Sequence, residues 1–153
     1  MLGCREQWLP ALVIMVFLFS TRAAVAECTV DGISLGMTAA KVVKRLGSSY
    51  NFVNLIEKSS TEGLDYALEY RKPAGSTEIH FIFGRAAFVS GGTFRDRAGH
   101  CLSRGDRAES ISKLLGPPRD SDGESSVYTF GKTRVIFETK DGRIKTVMLE
   151  HGS

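Results

Sequence analysis

Histidine, cysteine, proline, tryptophan and charge of one sign are all scarce in this chain, and each scarcity narrows what the protein does. Twenty Lys and Arg residues face 17 Asp and Glu, leaving a formal charge of +3 over 153 residues. A nucleic-acid binder concentrates basic charge on one surface, so nucleic acid is set aside as a partner. The three histidines, His80, His100 and His151, stand far apart, and no pair has metal-ligand spacing. No Gly-x-Ser-x-Gly elbow occurs, and Ser90 before Gly91-Gly92 reads as a strand-end turn. Asp120-Ser121-Asp122-Gly123-Glu124 lacks the third ligand position and distal glutamate of a calcium loop, so it reads as a solvated turn. No catalytic residue, metal site or cofactor is expected. Long apolar runs are missing as well. Ala11 to Phe19 is unbroken but too short for the roughly 20 residues of a spanning helix.

That run instead fits a secretory leader. Arg5 lies in a short polar n-region, and Ala24-Val25-Ala26 has the small-x-small form that signal peptidase reads. Residues 1–26 are therefore expected to be removed, and the mature chain to be exported to the periplasm or secreted. Glu27 occupies the place where a lipoprotein signal needs a small residue, so Cys28 is read as unlipidated. Cys4 leaves with the leader, and Cys28 and Cys101 are expected to form a disulfide in an oxidising compartment.

What the chain has is repetition. Ile33 to Gly47 recurs in degraded form as Leu102 to Gly116, with Gly36 and Gly105, and Leu46-Gly47 and Leu115-Gly116, at one constant offset. In the first copy Ala39, Val42, Val43 and Leu46 form an apolar helical stripe, while Lys41, Lys44 and Arg45 take the wet side. Thr38 is its expected N-cap and Gly47 its stop. In the second copy Ala108, Ile111, Leu114 and Leu115 supply the stripe, Asp106 with Glu109 makes the better cap, and Gly116-Pro117-Pro118 ends the helix.

Each helix precedes three alternating segments. Leu64 to Arg71, Glu78 to Phe83 and Ala86 to Phe94 follow the first; Ser126 to Phe130, Thr133 to Thr139 and Arg143 to Glu150 follow the second. Asp141-Gly142 between two such runs is a strong hairpin signal. The expected fold is α+β: residues 27–98 and 99–153 form two tandem units, each a helix on a three-stranded antiparallel meander, with the six strands in one sheet or two. Ser48 to Gly63 reads as either a second short helix around Phe52, Val53, Leu55 and Ile56 or an ordered loop.

Gly36-Met37-Thr38-Ala39-Ala40-Lys41-Val42 with Leu46-Gly47, followed by a meander, resembles the BamE (SmpA/OmlA) family of outer-membrane assembly proteins. The tandem arrangement is also similar to that of the β-lactamase-inhibitory proteins. The resemblance implies a non-catalytic protein that works by contact. In the inhibitory proteins two joined units offer a concave sheet to an enzyme; in the assembly family one lipidated unit binds a barrel-assembly partner and lipid. This chain departs from both, because it lacks the lipid cysteine and has two mature cysteines where the secreted inhibitors have two disulfides.

The expected function is thus an exported binding protein of the bacterial envelope acting through an uncovered sheet face. A secreted enzyme inhibitor and a small-ligand carrier are the alternatives. The expected partner is another protein, an envelope protein or a target enzyme, with an anionic lipid surface as a further candidate. Tyr66, Tyr70, His80, Phe88 and Tyr128 are the strand aromatics and histidine that could form the binding face. Arg95, Arg97 and Arg104 form a basic group between the units.

Overall fold

The computed structural model describes residues 28–54 and 66–152. The leader, its cleavage point after Ala26, Leu55, Ile56 and the start of the strand at Leu64 lie outside the described residues. Among the described residues eleven strands and two short helices follow in the order β1 (Cys28–Val30), α1 (Ala39–Leu46), β2 (Asn51–Asn54), β3 (Tyr66–Lys72), β4 (Gly75–Ile82), β5 (Arg85–Gly91), β6 (Thr93–Asp96), β7 (Cys101–Ser103), α2 (Glu109–Leu115), β8 (Asp120–Ser121), β9 (Ser125–Phe130), β10 (Thr133–Lys140) and β11 (Arg143–His151). Eight strands form one antiparallel sheet in the order β2-β3-β4-β5-β11-β10-β9-β8, and β1, β6 and β7 form a separate three-stranded sheet.

This mostly β architecture corrects the expectation of two helix-on-meander units. The helices are only two turns long, and five further strands, β1, β2, β6, β7 and β8, join the meander strands. Phe52 and Val53 lie in strand β2, paired with Leu68 and Ala67, and in no second helix. The run from Ala86 to Phe94 is not one strand. It breaks at Gly92, and its last part leaves the large sheet to pair with β1 and β7.

Periodicity explains which residues fill the core. Leu68, Ile79, Val89, Leu149, Val135 and Tyr128 stand in one cross-strand row through six strands, and all are buried. Neighbouring rows of a pleated sheet point to opposite faces, so this row defines the core face. Val42 of α1 and Ile111 of α2 pack into the same cluster, as do Val30, Phe94 and Leu102, the cross-strand row of the small sheet. The Phe94 ring meets Phe137 edge-on at 5.2 Å and Phe130 at 5.6 Å, joining the small sheet to the far half of the large one. Both helices and the small sheet therefore cover one face of the large sheet.

The two offset-related segments make matching contacts. Gly36 N–H donates to the Ala86 carbonyl and Ala86 N–H to Met37; Gly105 N–H donates to Ile144 and Ile144 N–H to Asp106. Arg85 Nη1 reaches the Gly36 carbonyl at 3.1 Å, and Arg143 Nη1 the Gly105 carbonyl at 2.6 Å. Thr38 occupies the N-cap of α1 without a side-chain bond, and the Gly47 and Gly116 N–H groups close the helices onto Val43 and Ser112. Asp106 does not cap α2, whose N-cap is Ala108. Its carboxylate accepts the Ser103 N–H at 2.7 Å instead, closing the turn after β7.

The Cys28–Cys101 disulfide is also corrected. Cys28 pairs with Asp96 and Cys101 with Arg95, on opposite sides of β6. Two strand spacings of about 4.8 Å separate them, more than the roughly 7 Å limit for bridged Cα atoms. They also stand in adjacent rows and so point to opposite faces: Cys28 is buried and Cys101 exposed.

Where the chain changes sheets, one side chain holds the junction. Asp31 and Gly32 form the positive-φ pair of a tight turn after β1, with Val30 and Ile33 exchanging hydrogen bonds. The Asp31 carboxylate accepts Thr93 N–H at 2.9 Å, Gly92 N–H at 3.2 Å and the Thr77 hydroxyl at 2.5 Å. Gly91 is required there, because a Cβ would stand 2.4 Å from Asp31 Oδ2 and 2.7 Å from Val30 Cγ1. Asp31→Ala strands these three donors, of which the Thr77 hydroxyl belongs to a fully buried residue. It is expected to destabilise the fold by about 3 kcal/mol, and Asp31→Asn, which tolerates the backbone and keeps an acceptor, by less. Urea unfolding midpoints check that order, and equal midpoints for Asp31→Ala and the parent would contradict it.

Candidate interaction face

The large sheet's second face is built from the rows that alternate with the core. One runs Ala67, His80, Phe88, Glu150, Arg134, Thr129, and the next Glu69, Glu78, Ser90, Met148, Ile136, Val127. At its centre His80 Nε2 lies 2.6 Å from Glu78 Oε1, and the His80 ring packs against Phe88 with centroids 5.0 Å apart. Between β10 and β11 Arg134 Nη1 donates to Glu150 Oε1 at 2.8 Å. Met148, Ile136, Phe88 and Ser90 are half-buried and Val127 is buried. The face thus mixes an apolar middle with hydrogen-bonded polar side chains and an ion pair, the composition of a contact surface.

The structure separates the predicted candidates. His80 and Phe88 stand side by side on this open face. Tyr66, Tyr70 and Tyr128 share the parity of Leu68 and Val135 and lie on the core side. Tyr66 is stacked between Phe52 at 5.3 Å and Phe81 at 4.9 Å. Tyr70 is 2% exposed, and burial first and Tyr50 second push its phenol pKa up. Tyr128 meets Phe137 edge-on, donates to the Gly116 carbonyl at 3.1 Å, and has its pKa raised by burial.

The basic group does not join the face either. Arg95 points to the outer side of the small sheet, with Nη2 3.6 Å from Cys101 Sγ, and Arg97 is exposed in the β6–β7 turn. Arg104 is a clamp: its Nε donates to the Lys145 carbonyl at 2.7 Å and its Nη1 to Ala74, tying the β3–β4 turn to β11. The residues missed by sequence reasoning are Glu78, Met148, Ile136, Arg134 and Glu150. Their signal was parity, since each is adjacent in its strand to a core residue.

Among the described residues no three His, Cys, Asp or Glu side chains converge as metal ligands. The Asp122 carboxylate is engaged by its own turn, accepting Ser125 N–H at 2.7 Å and Glu124 N–H at 3.0 Å. No described helix is long and apolar enough to cross a membrane.

No family model matches the chain, and no curated protein does. Among solved structures, an extracellular protein containing an SCP domain from Bacillus anthracis str. Ames aligns at TM-score 0.46 and 10% identity. The alignment covers 76% of this chain and 44% of that one, so the chain spans less than half of that protein's length.

In the β6–β7 turn Asp96 accepts the His100 N–H at 2.9 Å, and His100 Nδ1 lies 2.7 Å from its other oxygen. Burial pushes the Asp96 carboxyl up, but the hydrogen bonds and charge of His100 and the Ala98 N–H outweigh it and hold the group below its ordinary value. A carboxylate with a lowered folded pKa stabilises fully above its unfolded value and loses that contribution as pH falls through the folded one. Asp96→Asn is therefore expected to lower stability at neutral pH and flatten the loss of stability below about pH 4. A urea-midpoint profile against pH measures this, and parallel profiles would contradict it.

Phe83 is 86% exposed and stands at φ 49 in the β4–β5 turn, where the matching hairpin β10–β11 places Asp141 at φ 51. A bulky side chain in the left-handed region costs about 1 kcal/mol. Phe83→Asn is expected to raise stability by about that amount, since it forfeits little packing. Thermal unfolding reads the change, and a destabilised variant would show that Phe83 makes contacts worth more than its strain.

Proposed function

We propose that this chain is an exported, non-enzymatic binding protein that acts through the open face of its eight-stranded sheet. The observation that carries the reading is the pair of rows centred on His80, Phe88, Met148 and Ile136, which no described helix or strand covers, while both described helices, the small sheet and the buried tyrosines lie on the other side. Half-buried apolar side chains flanked by the His80–Glu78 hydrogen bond and the Arg134–Glu150 ion pair suit a protein partner, which excludes water from the centre and meets polar groups at the rim. The histidine and carboxylates on this face engage one another and present no activated nucleophile, which favours contact over catalysis. Export rests on the leader features of residues 1–26.

A photoreactive benzoylphenylalanine in place of Phe88 or Ile136 tests the reading in envelope extracts of the producing cells. Both positions are expected to yield the same protein adduct, and the same residue in place of exposed Leu114 on α2 to yield none. Capture from neither face position, or equal capture from Leu114, overturns the proposal.

A further inference from the structure

The β9 side of the large sheet ends abruptly. Strand β8 pairs with β9 only through Asp120–Val127 and Ser121–Ser126. The Val127 carbonyl accepts Arg119 N–H at 2.8 Å, so it points outward, away from β10. Backbone groups of a strand alternate in direction with a period of two. The N–H and carbonyl of Thr129 therefore face the same outer edge, and no described strand pairs there. The reason lies in the sequence: Arg119 is preceded by Pro117-Pro118, and proline has no N–H to offer a ladder. Pro117 and Pro118 can donate no hydrogen bond to the Thr129 carbonyl, and among the described residues no strand lies beside it.

That place is a cleft. A concavity of about 620 Å³ is lined by Arg119, Asp120, Val127, Thr129, Lys132 and Arg134, among others. Three cations thus meet one carboxylate. Arg134 is engaged by Glu150, while Arg119 and Lys132 have no ion pair among the described residues. An unpaired strand edge recognises an extended backbone, and the charges beside it select side chains.

We propose that this cleft takes an extended, acidic peptide segment of another protein, which adds as a strand beside Thr129 and places carboxylates against Arg119 and Lys132. The inference rests on the contact-protein reading but uses the sheet's edge rather than its centre. Thr129 supplies the backbone donor and acceptor, and the two unpaired cations supply the preference for acid.

Fluorescence anisotropy with a labelled peptide of alternating Glu and Thr tests it on the mature protein, against a Lys-Thr peptide and a Glu-Thr peptide N-methylated on alternate amides. The Glu-Thr peptide is expected to bind, more weakly as salt rises. N-methylation is expected to weaken binding by about tenfold. Thr129→Pro removes the outward donor while sparing the β9–β10 ladder, so it should weaken binding with an unchanged unfolding midpoint. Should that variant fold poorly, hydrogen exchange of the parent gives the same reading: the Thr129 amide is slowed by the Glu-Thr peptide alone. Arg119→Glu with Lys132→Glu should reverse the preference. Equal binding of acidic and basic peptides, undiminished binding of the N-methylated peptide, or no binding of the acidic peptide overturns the inference. If these fail while the Phe88 and Ile136 adducts persist, the edge is not the site and the open face still is; loss of the adducts with peptide binding intact is the reverse case.

Discussion

The carboxylate of Asp31 is the joint on which the two sheets turn. A strand that leaves one sheet for another exposes backbone donors at the crossing, and buried donors without acceptors are costly. Gly92 and Thr93 are those donors, and Asp31 accepts both while also receiving the hydroxyl of Thr77 from β4. The arrangement needs a side chain held close to the backbone of Gly91, which leaves no room for a Cβ there. It also needs the tight Asp31-Gly32 turn to aim the carboxylate. Sequence, turn, close packing and hydrogen bonding converge on one place, and β6 emerges from it in position to pair on both edges.

The asymmetry of the large sheet follows from that crossing. Once β6 folds over the core side, Phe94 stands against Phe130 and Phe137, and β1 and β7 bring Val30 and Leu102 down beside it. The short helices need bury only a few residues each, with Val42 and Ile111 deepest, because the small sheet shares the work of covering the core. All three covering elements lie on one side. A pleated sheet has two faces of equal area, and the alternate rows are left to be filled by side chains that tolerate water: the His80–Glu78 and Arg134–Glu150 pairs around Phe88, Met148 and Ile136. The open face is thus a consequence of the strand crossing, not an independent device.

How much of this was legible depended on element length. The six longest strands announced themselves through alternation, and Asp141-Gly142 stands in the hairpin turn where the pattern put it. The β4–β5 hairpin turns at Phe83-Gly84, and β4 stops one residue before the expected strand end at Phe83, because Phe83 itself adopts the left-handed backbone that sequence reading reserves for Gly, Asn and Asp. Strands of two to four residues carry no readable period, so β1, β2, β7 and β8 were invisible, and Gly91-Gly92 looked like a turn when it is a change of sheet. The cysteine pairing failed because counting thiols says nothing about the strand between them. For the face, parity within a strand was decisive. Tyr66, Leu68 and Tyr70 go together, so two tyrosines that suggested an interface had to share the core with a leucine, whereas His80 alternates with Ile79 and Phe81 and faces away from them. What one strand could not reveal was the alignment of rows between strands, which bulges after His80 and after Glu138 shift by one residue.

Pro117-Pro118 shows how one local signal can act at two levels. As a helix terminator the pair needs no further explanation, since α2 ends at Leu115 and Gly116 closes it. Yet only one residue, Arg119, separates the pair from the outermost strand of the sheet, and they set how far that strand can run. A chain with ordinary residues there could extend β8 along β9 and seal the edge with its own backbone. With proline the pairing stops at Val127, and the outward groups of Thr129 are left beside Arg119 and Lys132. Exposed edges invite indiscriminate pairing between chains, and proteins blunt them with charge and with short strands. Here the paired part of the edge is only two residues long and its surroundings are cationic, so basic strands, including the same edge of a second copy with its own Arg119 and Lys132, are disfavoured. The features that guard the edge against aggregation are the ones that make it selective.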